Sequence, residues 1–534
     1  MQGKKDYQEK LFTNFQLSDR IPKENFYRRL KAVLDLNFMR KLTAPYYGDC
    51  GQQSIDPEVF MKLMLVGYLE NIVSDRGLIA HCSMRLDILF FVGYDIDEEL
   101  PWHSTISRTR ALLPDEVFTQ AFEKVLSMCV DKGMVGGHTQ AIDSAPVKAN
   151  ASMDSLELKV PEEDLQDHLR KVRAMSLEDK EEKKDEEGDN KSEQGPFRKA
   201  KHNKAAEEQR KITASDKELK EIKSRNKNWS INQNERPGAK KLSSRYTSNK
   251  THYSPVDPDA RISVKPGKAR KLNYAAQLAV DTKQHVITYI GADFADKKDN
   301  QSLQEITTTL QKRLRKYHLL WRNLAADTGY SSGENYAFLE QAQLESYIPA
   351  HGTYKGGPDG FRYHKEEDYW LCTQGEKVTF RKVVIGKKNN LKTKVYLTKP
   401  SQCKSCPIKS ECIKNSPEKK ITITYYRDEY ERAIARVKSR YGQYIKRKRS
   451  STVEPVFGTL TQFLGLRKIN TRGISNANKG MLVAGMAYNL KKYLKYSQKL
   501  ARSEAKAARK AMLDFMMQIR RILKPHPKPI FLKI

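Results

Sequence analysis

Two short apolar runs end in aspartate, Asp143 in TQAIDSAPVKAN and Asp327 in NLAADTGYSS, and a third acid, Glu454 in RSSTVEPVFGTL, opens an apolar pattern of helical spacing. The runs read as buried strands, so two strand ends and one helix can converge on a single point of a layered α/β core. Carboxylates gathered there would repel one another unless a cation sat between them. That is the setting a metal-dependent phosphoryl-transfer site requires. Taken singly, each acid is also what a turn, a helix cap or a first helical turn favours; their joint placement carries the argument.

The charge balance narrows the chemistry. Lys and Arg number 97 against 65 Asp and Glu, a net charge of +32, which calls for an anionic partner, nucleic acid before others. The alternative is a solvated basic surface. Clustering favours the partner: ARVKSRYGQYIKRKRS, just before Glu454, holds Lys446, Arg447, Lys448 and Arg449 with no acid and with Tyr441 and Tyr444 interleaved. A phosphate-binding stripe would then adjoin the acids. No apolar run is long enough for a membrane span and no apolar core follows the basic N-terminus, so a cytoplasmic protein with no membrane partner is expected.

The pattern divides the chain. Residues 1–135 read as short helices, with Asp56 and Pro57 as an N-cap and first-turn pair and HSTISRTRALL as a helix whose Arg108 and Arg110 would face DNA in a helix-turn-helix-like module; an ordinary helical bundle is the alternative. Residues 136–154 and 251–349 read as the first parts of the core, with a hairpin turning at Thr282 to Gln284 that pairs with the Asp143 strand. Between them, residues 155–250 form a charge-dense, partly disordered insertion. Residues 350–435 are a β-rich insertion bearing cysteines, 436–500 the final core helices, and 501–534 a basic C-terminal helix and tail separate from the helix in NKGMLVAGMAYNLKKYL. Asp257, Asp259, Asp293, Asp296 and Asp299 are rival carboxylates whose settings read as turns and helix caps.

The order AID, AADTGYSS and STVEPVFGTL, followed by GLRKINTRGI and AYNLKKYL, resembles the DDE transposases of bacterial insertion sequences, most closely the IS1182 group within the broader IS4/IS5-like set. The resemblance spans most of the chain. It implies an α/β fold, an RNase H-like mixed-sheet catalytic core with a helical N-terminal domain and two insertions. It implies Asp143, Asp327 and Glu454 as the catalytic, metal-binding triad for Mg²⁺ or Mn²⁺, and double-stranded DNA, transposon ends and target, as partner of a homodimer or higher oligomer. Relatives in the broader set carry Tyr and Arg seven and four residues before the Glu and Lys seven after it; here those positions hold Arg447, Ser450 and Thr461, so Arg447, Arg449, Arg467 and Lys468 are the expected substitutes. A nuclease without strand transfer and an inactive DNA-binding protein are the alternatives.

Seven cysteines, an odd number, argue against a disulfide framework. Cys372, Cys403, Cys406 and Cys412 could hold a structural Zn²⁺ or remain reduced thiols, while Cys50, Cys82 and Cys129 sit in apolar helical surroundings and read as core.

Overall fold

The computed structural model describes residues 15–48, 54–158, 249, 252–263, 270–352, 354–386 and 391–522. Most of the charged insertion and Cys50 lie outside these. The chain is mixed α/β, with a helical N-terminal region and a curled mixed sheet at the centre.

The N-terminal helices follow the sequence signals. Asp56 caps Pro57–Leu69 by accepting from the Glu58 N–H at 2.8 Å, with Pro57 in the first turn where no amide partner is needed. That helix is apolar nearly all round and is buried, and Asp115–Asp131 presents Val117, Phe118, Ala121, Phe122, Val125 and Leu126 to the same core. The helices pack directly against the sheet. Their apolar faces join Ala141, Leu278, Val280 and Ile290 of the sheet in one hydrophobic cluster.

The central six-stranded sheet is built around β1 (Thr139–Lys148). After β1, a two-stranded ribbon of β2 (Glu157–Leu158) and β3 (His252–Tyr253) brings the ends of the insertion together. β5 (Lys271–Asp281) runs antiparallel to β1, and its other edge takes β4 (Arg261–Ser263) and β6 (Ile287–Phe294). The β5–β6 hairpin turns as its residues indicate, with Asp281 accepting from the Lys283, Gly136 and Gly137 amides and fixing the hairpin to the start of β1. On the far side β7 (Asn323–Ala325) and β8 (Glu345–Tyr347) are parallel to β1, each reached through a helix, Asp299–Lys316 and then Gly333–Gln341, as parallel connections demand.

The cysteine-bearing insertion is a separate antiparallel sheet in the order β13 (Lys420–Thr424), β12 (Lys392–Leu397), β11 (Lys377–Ile385), β10 (Tyr369–Leu371), β9 (Arg362–His364). Its core is small: Trp370, Val378, Tyr396, Ile421 and Ile423. The chain then re-enters the main body through Arg427–Lys438 and Arg440–Phe463, and Gly442 allows the turn between them, since a Cβ there would fall 2.0 Å from the Arg436 carbonyl oxygen.

At the C-terminus the structure corrects the expectation of two helices. Ile474–Ile522 is one helix of 49 residues, because no Gly or Pro interrupts the chain after Gly485. Its first half is buried against the Asp115–Asp131 helix and β6, whereas Met512, Leu513, Phe515, Met516 and Met517 beyond it are exposed. Asp257 and Asp259 secure its start: Asp257 Oδ1 accepts from the Gly473 N–H at 3.0 Å and the Tyr274 hydroxyl at 2.6 Å, and Asp259 Oδ2 from the Ile474 N–H at 2.9 Å. No described helix is long and apolar enough to cross a membrane.

Candidate active site

Strand register brings the two aspartates together. β1 and β7 are parallel, and the last paired residues are Ala141 and Ala325. Asp143 and Asp327 each stand two residues farther on, at matching places on neighbouring chains that are roughly 4.8 Å apart in such a sheet. Asp327 leaves its strand as the N-cap of the turn Thr328–Tyr330, its Oδ1 accepting from the Gly329 N–H at 2.9 Å. Asp143 Oδ1 accepts from the Ser144 N–H at 2.8 Å.

The Arg440–Phe463 helix covers this end of the sheet, packing against β1, β5, β7 and β8 with Val453, Val456 and Leu460 buried. Arg449 descends from it to place Nη1 3.0 Å from Asp143 Oδ2. Burial holds the Asp143 carboxyl above its ordinary range, Arg449 pulls it back, and the charge of Asp327 raises it again. Arg449, read from sequence as a DNA contact, is thus engaged by the first acid.

Glu454 is not gathered in. Five residues beyond Arg449 on the same helix, it points about 140° away around the axis. Arg440, Tyr444, Arg447, Ser451 and Glu454 share one exposed stripe, spaced as a single helix face. Among the described residues no three His, Cys, Asp or Glu side chains stand close enough to hold one ion.

The acid that stands beside Asp327 is Asp299, set aside from sequence as a helix cap. It opens the Asp299–Lys316 helix, and its Oδ1 accepts from the Ser144 hydroxyl at 2.6 Å. A Cβ on Gly329 would lie 2.9 Å from Asp299 Oδ2 and 3.0 Å from Asp327 Oδ1, so both carboxylates flank that one point. Tyr330, fully buried and donating to Gln277 Oε1 at 2.9 Å, has its phenol pushed far up by burial and then by Asp299, Asp143 and Asp327. A cavity of about 510 Å³ opens beside Ser144, Asp299, Thr328 and Gly329. Only the pairing of β1 with the start of this helix, invisible in sequence, reveals Asp299.

The basic residues fall into three settings. Lys446 and Arg447 are exposed, with Lys448 half-buried behind them, and Tyr441 and Tyr444 lie exposed and stacked with ring centroids 6.1 Å apart. Arg467 is exposed and Lys468 half-buried on a segment that follows the end of β1, where the Ile469 N–H donates to the Lys148 carbonyl at 2.8 Å. Arg108 is exposed on the His103–Leu112 helix. Arg110 requires correction: it is 6% exposed and paired with Asp75 at 2.6 Å, because its position on the helix turns inward beside Ile106.

Two acids thus stand at neighbouring strand ends of a mixed sheet, covered by a basic helix. Residues 15–112 match the family described as Transposase domain (DUF772), and residues 371–494, which include the cysteines, the basic helix and Glu454, match the Transposase DDE domain. The chain belongs to the DDE transposases of insertion sequences, DNA-cleaving enzymes. No curated protein matches it.

Proposed function

We propose that this transposase binds the terminal inverted repeats of an insertion sequence of the IS1182 group, cleaves there within an RNase H-like core, and joins the freed 3′ hydroxyl to target DNA. The observation that carries the reading is the register of β1 with β7, which sets Asp143 beside Asp327 at the ends of parallel strands. The strand order, with β5 and β6 antiparallel on one side of β1 and β7 and β8 parallel on the other, supports the same core.

The donor set fits a hard divalent cation such as Mg²⁺ or Mn²⁺, which takes carboxylate oxygens and keeps several waters. Asp143 and Asp327 would hold it, and Glu454 is the third acid that the family resemblance implies. Bound there, such an ion supplies the charge that a phosphodiester oxygen and an attacking oxygen need. Arg449 meanwhile keeps Asp143 oriented and favours its ionised form. Tyr441, Tyr444, Lys446, Arg447, Arg467 and Lys468 would receive the DNA, phosphates on the cations and bases against the stacked phenols, and Arg108 would contact it from the helical region. The enzyme would act as a homodimer or higher oligomer on DNA in the cytoplasm.

Full-length protein, terminal-repeat duplexes and Mg²⁺ make the test. End-specific nicking and covalent joining to a second duplex are expected; nicking that never yields joined strands would establish a nuclease instead.

A further inference from the structure

We infer that the cysteine-bearing sheet carries a structural zinc site formed by Cys372, Cys403, Cys406 and Cys412. The four arrive from separate pieces: Cys372 in the turn after β10, Cys403 on the Pro400–Lys404 helix, Cys406 in the following loop, and Cys412 at the end of Lys409–Cys412. All four line one cavity of about 530 Å³. Chance burial of apolar side chains does not explain this, because each of the four is half-buried, whereas Cys82 and Cys129 are fully buried in the main core with thiols pushed up to about 12.

The surroundings suit thiolates. The Glu376 N–H points at Cys372 Sγ at 3.4 Å, and Thr398 Oγ1 stands 3.2 Å from Cys403 Sγ. A tetrathiolate zinc centre carries two net negative charges, and Lys409 and Lys419 line the same cavity, Lys419 Nζ donating to the Cys412 carbonyl at 3.1 Å.

The fold supplies the reason for a metal. Five buried residues hold together a sheet of five strands, and the segment that carries three of the thiols consists of two helices of five and four residues. Such short helices have little stability of their own, and a closed zinc site contributes folding energy directly. Among the described residues no three of the thiols meet at one point, so binding would have to draw the two short helices and the Cys372 turn together. This role is independent of the reaction at the aspartates and survives failure of that reading.

Full-length protein purified without chelator tests it through metal content and cobalt exchange. About one zinc per chain is expected, with intense thiolate-to-cobalt absorption after exchange and metal lost in Cys406→Ser and Cys412→Ser. A strong chelator should lower the melting temperature of the wild-type chain, a readout that does not require any variant to fold. Folded wild-type protein with less than about 0.1 zinc per chain and no cobalt–thiolate band would overturn the site. So would four thiols that are alkylated equally fast with and without chelator.

Discussion

Arg449 Nη1 lies 3.0 Å from Asp143 Oδ2 with both side chains mostly buried, so the first acid already holds a cation of the protein's own. Burial raises the Asp143 carboxyl and Arg449 opposes the rise. An acid whose folded-state pKa is raised adds stability at pH below its unfolded value, and loses it as pH climbs through the folded value. Relative to an uncharged side chain at this position, the carboxyl therefore favours the fold more as pH falls. Asp143→Asn should abolish cleavage, and the stability of wild type relative to this variant should increase as pH falls; calorimetric scans showing no such pH-dependent difference would contradict this.

The same pair governs pH dependence. Cleavage needs Asp143 ionised, so the rate should fall on the acid side as pH drops through its raised pKa. Arg449→Gln removes the main influence holding that value down. The acid limb of the rate profile should move to higher pH, and an unmoved limb would detach Arg449 from the acid.

Glu454 and Asp299 make opposite claims. Glu454→Gln should lower cleavage at least about 100-fold with DNA binding retained, as expected for a group at the metal. Asp299→Asn, which acts through the Ser144 hydroxyl, should cost about 10–100-fold, the range for partners behind the ligands. Its loss should shift the metal concentration needed for half-maximal rate. Undiminished cleavage by Glu454→Gln together with a dead Asp299→Asn would exchange their roles.

Two arginines that sequence reads alike, as DNA contacts, should behave differently. Arg447→Ala on the exposed stripe should weaken DNA binding and reduce the slope of log affinity against log salt by about 1. Arg110→Ala leaves Asp75 without its buried partner and should cost the fold about 3 kcal/mol, leaving the salt slope unchanged in protein that remains folded. Equilibrium unfolding and salt-dependent binding separate the two.

A chain ending at residue 500 should keep the melting temperature within a few degrees, since the helix beyond it is exposed throughout its described side chains. A large drop would mean that the last turns are covered by something the monomer does not show.

Local patterns determined much of this protein. The apolar runs of the Asp143 and Asp327 strands, the Asp56–Pro57 helix start and the β5–β6 hairpin all read correctly, because burial periodicity and turn chemistry act over a few residues. The same patterns could not say which way a helix turns. Arg110 and Arg449 look like surface cations in sequence, and only packing sends one to Asp75 and the other to Asp143. Glu454 shows the converse: its sequence setting places it with the aspartates, while the helix phase fixed by Val453, Val456 and Arg449 leaves it on the outer stripe. Asp299 reads as a cap because its partner Ser144 is supplied by a strand far away in the chain. Sequence determines which residues are apolar and where elements begin; the choice of which charges meet is made by strand register and helix rotation, long-range quantities that no local pattern encodes.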